Sequence, residues 1–187
     1  MQTVSHLPVA QSRARRIAPI LSLFLLLAPV SSRANAQGVA PSAVDATPPI
    51  HAKKFDKVAN AALLKMRQRA TELGIGGVAV VAYFEGDSIQ SWSSKMLVVG
   101  RMKDNPSSTN KGSNLLAIAY SKAAEMADTL KDSGSQVRPP MTGEFGWAGG
   151  VILRGKTGHL IAAFSGGKSE DDVKVSRAGV EVLKSKL

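Results

Sequence analysis

The chain has 187 residues, with 24 Lys and Arg against 14 Asp and Glu and no cysteine. Without a thiol, disulfide stapling, thiolate catalysis and thiolate metal sites are excluded together, so stability has to come from packing. Both charge signs are interspersed, and no basic run is interleaved with aromatics, so the charge reads as solvation and not as a nucleic-acid surface.

Arg13, Arg15 and Arg16 precede the apolar run Ile17 to Val30, and Ala34-Asn35-Ala36 follows it. A basic start, a short apolar middle and a small-x-small site are the parts of a secretory signal peptide. The run is too short to cross a bilayer comfortably. Residues 1–36 are therefore expected to be a signal peptide cleaved after Ala36, giving an exported protein, periplasmic or extracellular. The segment removed holds four Arg and no acid, which lowers the net charge from +10 to about +6.

Residues 37–51, rich in Pro, Ala and Ser, read as a flexible leader. The domain is expected over 52–187. Phe55 to Leu73 has helical periodicity, with Gly74 placed to end it. Gly77 to Glu85 is β-rich, Gly86-Asp87 supplies a turn, and Ile89 to Val99 continues as a strand. Asp104 to Gly112 is a polar loop, followed by a helix over Ser113 to Lys131 with a stripe of small residues. Asp132 to Thr142 is a second loop. Phe145 to Leu153 and His159 to Phe164 read as strands, and Ser169 to Leu187 as the last helix. Gly179 inside that helix costs roughly 1 kcal/mol relative to Ala, which implies that another backbone packs closely there. The order α-β-β-α-β-β-α, with short-looped and hence antiparallel strand pairs, makes this a single α+β domain whose antiparallel sheet is flanked by helices.

Residues 150–157, GVILRGKT, match the pattern G-x-x-x-x-G-K-[ST] of a phosphate-binding loop letter for letter. A working loop of that kind follows a strand and opens a helix whose amides face the phosphate. Here the intervening Val-Ile-Leu-Arg are strand residues, and another strand follows, so the stretch reads as a β-hairpin and no nucleotide is expected. Ser165-Gly-Gly-Lys-Ser169 does precede a helix, but Ala162 stands where the first glycine is needed. The acids Glu170, Asp171 and Asp172 complement the helix dipole, and Ser169 with Asp172 reads as a capping box.

Several marks in order along the chain resemble the GlcG/HbpS family of haem-binding or haem-degrading domains. They are Val78 to Ala82, Arg101-Met102 with Asp104, Ser121-Lys122-Ala123, Gly149-Gly150-Val151, the strand from Gly158 to Phe164, Ser165-Gly166-Gly167, Asp172, and Ala178-Gly179. The chain departs from the family in having Ile152 for a proline and Glu125 for a threonine implicated in haem contact. The family's aspartate that ends the first strand also has no clear counterpart near Tyr83. The resemblance implies a homo-oligomeric binder of haem or a related tetrapyrrole that stores or scavenges it, or presents it to a membrane-protein partner. A ligand-free accessory protein and a haem-degrading enzyme are the alternatives. No Ser-His-Asp arrangement is apparent, so an enzyme is not favoured.

For iron, the chain past residue 36 offers His51 and His159, thioethers at Met66, Met96, Met102, Met126 and Met141, and phenols at Tyr83 and Tyr120. His51 and His159 are the candidate metal ligands, His159 being expected on an exposed hairpin. Met126 falls in the core stripe of its helix. Lys122 is either paired with Glu125 one turn on, or joins Arg101 in meeting a carboxylate such as a haem propionate. Lys122, Arg101, Glu125, His51 and Met126 are thus the candidate cofactor-binding residues.

Overall fold

The computed structural model describes residues 52–187. In chain order they form α1 (Ala52–Glu72), β1 (Gly77–Glu85), β2 (Ser93–Val99), β3 (Lys103–Asp104), β4 (Ser113–Asn114), α2 (Leu115–Thr129), β5 (Gly150–Arg154), β6 (Gly158–Ser165) and α3 (Ser169–Lys186). His51, and the signal and leader segments, lie outside the described residues.

The architecture follows from β1. Its residues from Gly77 to Phe84 are all buried, so it needs cover on both faces and a neighbour on both edges. Antiparallel β2 and β6 flank it, and β5 pairs with β6, giving the sheet order β2-β1-β6-β5. Side chains then sort by parity. Ala79, Val81 and Tyr83 of β1 join Leu160, Ala162 and Phe164 of β6 in the core under α1 and α3. Val78, Val80, Ala82 and Phe84 join Ile161 and Ala163 in a second core under α2. Burying a Val, Leu or Phe side chain contributes about 1.5–3 kcal/mol, so two cores on one sheet account for a chain that has no disulfide.

The α+β class and the order of the long elements agree with the sequence reading, and β1 does so residue for residue. The differences lie at ends governed by backbone chemistry. Phe145 to Gly149 is not part of β5, because Gly146 and Gly149 sit at φ 63° and 136° and interrupt the extended chain. Ile89 to Trp92 likewise precedes β2 and is not part of it. The expected polar loop after Asp104 is framed by the small β3–β4 ribbon. α2 is shorter than expected at both ends. The Asn114 side chain accepts from the Ala117 N–H at 3.1 Å to start it. Leu130, at φ 54°, closes it with its N–H on the Met126 carbonyl. Gly179 faces the Met66 side chain of α1, not a neighbouring backbone.

The outer edge of β5 is capped by side chains. The Gly150 N–H donates to Ser133 Oγ at 2.8 Å and the Ile152 N–H to Asp132 Oδ1 at 2.9 Å. These bonds satisfy donors that would otherwise invite another strand.

GVILRGKT is β5 and its turn. The Gly155 N–H bonds the Gly158 carbonyl at 2.7 Å, the Thr157 and Tyr83 hydroxyls meet at 2.7 Å, and β6 follows. Gly158 is fixed here by a close approach: a Cβ would collide with the Phe84 carbonyl oxygen across the ladder, whereas one at Gly155 would meet the Gly158 oxygen at 3.3 Å. Gly158→Ala should therefore cost about 2 kcal/mol or more in urea unfolding, and Gly155→Ala under about 1 kcal/mol. Equal costs would contradict this account of the hairpin.

Candidate functional site

α2, β6 and α3 are brought together by one buried ion pair. Lys122 Nζ, on the inward face of α2, donates to Asp172 Oδ2 of α3 at 2.9 Å and to the Phe164 carbonyl of β6 at 2.8 Å. The two side chains are 3% and 4% exposed. Burial outweighs their mutual attraction, pushing the Lys122 amine below its ordinary pKa and the Asp172 carboxyl above its own. Asp172 is also held by the Gly167 N–H, which donates to Oδ1 at 2.8 Å. The expected capping box at Ser169 is not formed. The N-cap is Lys168, without a side-chain bond, and Asp172 reaches back to the strand-to-helix turn instead.

Lys122 therefore does not pair with Glu125 as the helical spacing allowed. Glu125 is itself buried and accepts from the Gly134 N–H at 2.8 Å, while its Oε2 has no hydrogen-bond partner among the described residues. Arg101 is tied to main chain. Its guanidinium donates to the Gly76 carbonyl, the Gly166 carbonyl and Asp104 Oδ1, each at 2.7 Å. It thus joins the entry of β1 to the exit of β6, leaving part of its surface in solvent. Met126 is fully buried beneath Gly150.

His159 corrects the expectation of an exposed hairpin residue. It is 6% exposed, with Nδ1 at 3.0 Å from the Gly86 carbonyl and its ring stacked on Phe84 at 5.1 Å. It lies near the start of β6, whereas Lys122 bonds the Phe164 carbonyl near that strand's other end, about 17 Å away at the rise of a strand. Among the described residues no group of three or more His, Asp or Glu is placed to hold a metal ion.

The surface beside the ion pair is a run of three cavities. The middle one, about 160 Å³, has Lys122 and Asp172 with Ser165, Gly167, Ser169 and Trp147 in its wall. It shares Asp104 and Ser113 with a cavity of about 210 Å³ walled by Met102, Lys103 and Lys111. On the other side it shares Ala148 and Ser169 with an open, mostly apolar cavity of about 300 Å³ also walled by Glu170 and Val173. The groove therefore has Lys103 and Lys111 at one end and its most apolar wall at the other, with the carboxylates of Asp104 and Glu170 also on its walls.

Trp147 is half exposed and its ring lies 4.9 Å from that of Phe145. The loop carrying both is held by Arg138, which donates to Asp128 at 2.6 Å and to Glu144 at 2.7 Å. The Arg138 guanidinium and the Met141 N–H hold the Glu144 carboxyl down at about 2, against an ordinary 4.5. Sequence reading missed Trp147, Lys103 and Lys111 because aromatic and basic residues in loops have no period. The Trp-Ala-Gly-Gly run ahead of a strand was the available signal.

No family model matches the chain, and no curated protein matches it. Among solved structures, the PduOC:heme complex is similar at 14% identity and a TM-score of 0.47, covering 70% of this chain and 91% of that one.

Two outcomes follow from this geometry. Removing one member of the buried pair strands the other charge, so Lys122→Met should destabilise the fold by about 3 kcal/mol or more. Lys122→Met with Asp172→Leu should cost less than the sum of the single changes, as a denaturant double-mutant cycle measures. For Glu144, the depressed folded value means that its ionised form stabilises the fold above about pH 4.5, and that this contribution is lost as pH falls toward 2. Glu144→Gln should flatten the stability profile in that window, and an unchanged profile would contradict the assignment.

Proposed function

We propose that this chain is an exported binder of haem or a related tetrapyrrole, acting as a homo-oligomer that stores or scavenges its ligand or presents it to a membrane-protein partner. The observation that carries the reading is the contrast between the two ends of the groove. A tetrapyrrole is a flat apolar disc with carboxylates on one edge. The ammonium groups of Lys103 and Lys111 suit those carboxylates, while Trp147, Ala148 and Val173 suit the ring face. The ordered sequence marks of the GlcG/HbpS resemblance point the same way.

The donor set bears on how haem would sit. Of the side chains walling the three cavities, the Met102 thioether is the one of a type that ligates haem iron. His159, Met126 and Tyr83 are turned into the body of the fold. Lys122 and Arg101 support the reading as the residues that shape the groove floor and rim, with Lys122 already committed to Asp172.

The alternative of a ligand-free accessory protein draws on a different observation. Val137, Met141, Phe145 and Trp147, all exposed, share the loop braced by Arg138, a rigid apolar face suited to a protein partner.

Titrating haemin into the purified chain should give a saturable Soret shift, weakened roughly tenfold or more by Lys103→Glu with Lys111→Glu, the loss of two favourable charge contacts. A shift that never saturates would discard the binder and leave the accessory reading. Loss of the Soret band with reductant, with iron release that catalase does not suppress, would instead mark an enzyme.

A further inference from the structure

The middle cavity places a primary amine where a small electrophile can meet it. Lys122 Nζ uses two of its three donor positions, on Asp172 Oδ2 and the Phe164 carbonyl, and lies in the wall of the cavity. Gly149, at φ 136°, leaves room for the amine, since a Cβ there would collide with Nζ. The hydroxyls of Ser165 and Ser169 and the first turn of α3 line the same space, which takes a molecule of a few heavy atoms.

We propose that Lys122 is a covalent site for small aldehydes, which it takes up as an iminium. Asp172 accepts a proton from the ammonium, freeing the nitrogen lone pair to attack the carbonyl carbon. The nitrogen–carbon bond forms as the carbonyl π electrons move onto oxygen, and one of the two nitrogen protons then passes to that oxygen, giving a neutral carbinolamine. Asp172 returns its proton to the departing hydroxyl, which leaves as water, and the nitrogen lone pair closes the C=N bond. Ammonium plus aldehyde thus becomes iminium plus water, with no net change of charge and no oxidant or reductant. The iminium keeps one N–H and one positive charge for Asp172 and gives up the bond to the Phe164 carbonyl, so the ion pair joining α2 to α3 survives the reaction.

The surroundings favour that chemistry. Burial holds the amine below the ordinary lysine pKa, so its neutral form is reached nearer neutral pH than on a solvated lysine. The charged groups around it are Asp172 on α3, Glu125 one turn along α2, and Asp104 across the cavity.

Propanal with cyanoborohydride, added to the folded full chain near neutral pH, reduces any iminium to a stable propyl-lysine that peptide mass mapping locates. Lys122 should be labelled several-fold faster than exposed Lys111, and this preference should vanish in urea. Lys122→Arg should remove the fast-labelled site while circular dichroism stays native. Labelling of Lys122 at or below the rate of Lys111 in the folded chain, or a fast phase that persists in Lys122→Arg, would overturn the proposal.

Discussion

The contact between Lys122 and Asp172 organises the rest of this structure. It crosses the end of β6, joining the helix on one face of the sheet to a helix on the other. Two charges taken out of water cost several kcal/mol each, repaid only if every polar atom finds a partner. The Phe164 carbonyl and the Gly167 N–H supply partners to the pair, and the bare Gly149 leaves room for Nζ. Consequently two glycine-bearing segments apart in sequence, at Gly149 and at Gly166-Gly167, are fixed around one nitrogen beside the groove. Ser176, whose hydroxyl donates to the Gly149 carbonyl at 2.6 Å, fixes the same glycine from α3.

Secondary structure was legible where side-chain periodicity is strong. β1 reads as a doubly buried strand because Gly77 to Phe84 carries no charge, and α2 reads as a helix because Ala119, Ala123, Met126 and Ala127 recur on one face. GVILRGKT forms a hairpin for the same reason: Val151, Ile152 and Leu153 are strand residues. What sequence could not give was pairing across long separations. Lys122 has Glu125 one turn away, and local spacing favours that partner. The winning acid is fifty residues on, and only the sheet brings it close. His159 was misjudged for a related reason. A residue at a hairpin is usually solvated, yet here the Gly86 turn folds over the imidazole.

In the proposed binder, the groove is where this scaffold would meet its ligand. Arg101 looks like an anion-binding arginine in sequence, but its guanidinium spends its donors on the main chain of two strand ends and so braces the rim. The positive charge left to meet a ligand is on Lys103 and Lys111, carried by the small ribbon and its loop. The aromatic wall stands on a loop that Arg138 ties to α2, and a rigid aromatic surface loses little conformational entropy when a ligand covers it. The binding reading thus rests on loops held by buried polar contacts, with the helices and sheet supplying the frame.

A crystal structure of the chain with haemin tests this account most directly. It should show the macrocycle lying along the groove against Trp147, with its carboxylates at Lys103 and Lys111 and the Lys122–Asp172 pair unbroken beneath it. A macrocycle seated elsewhere on the molecule, or a groove left without ligand at saturating haemin, would contradict it.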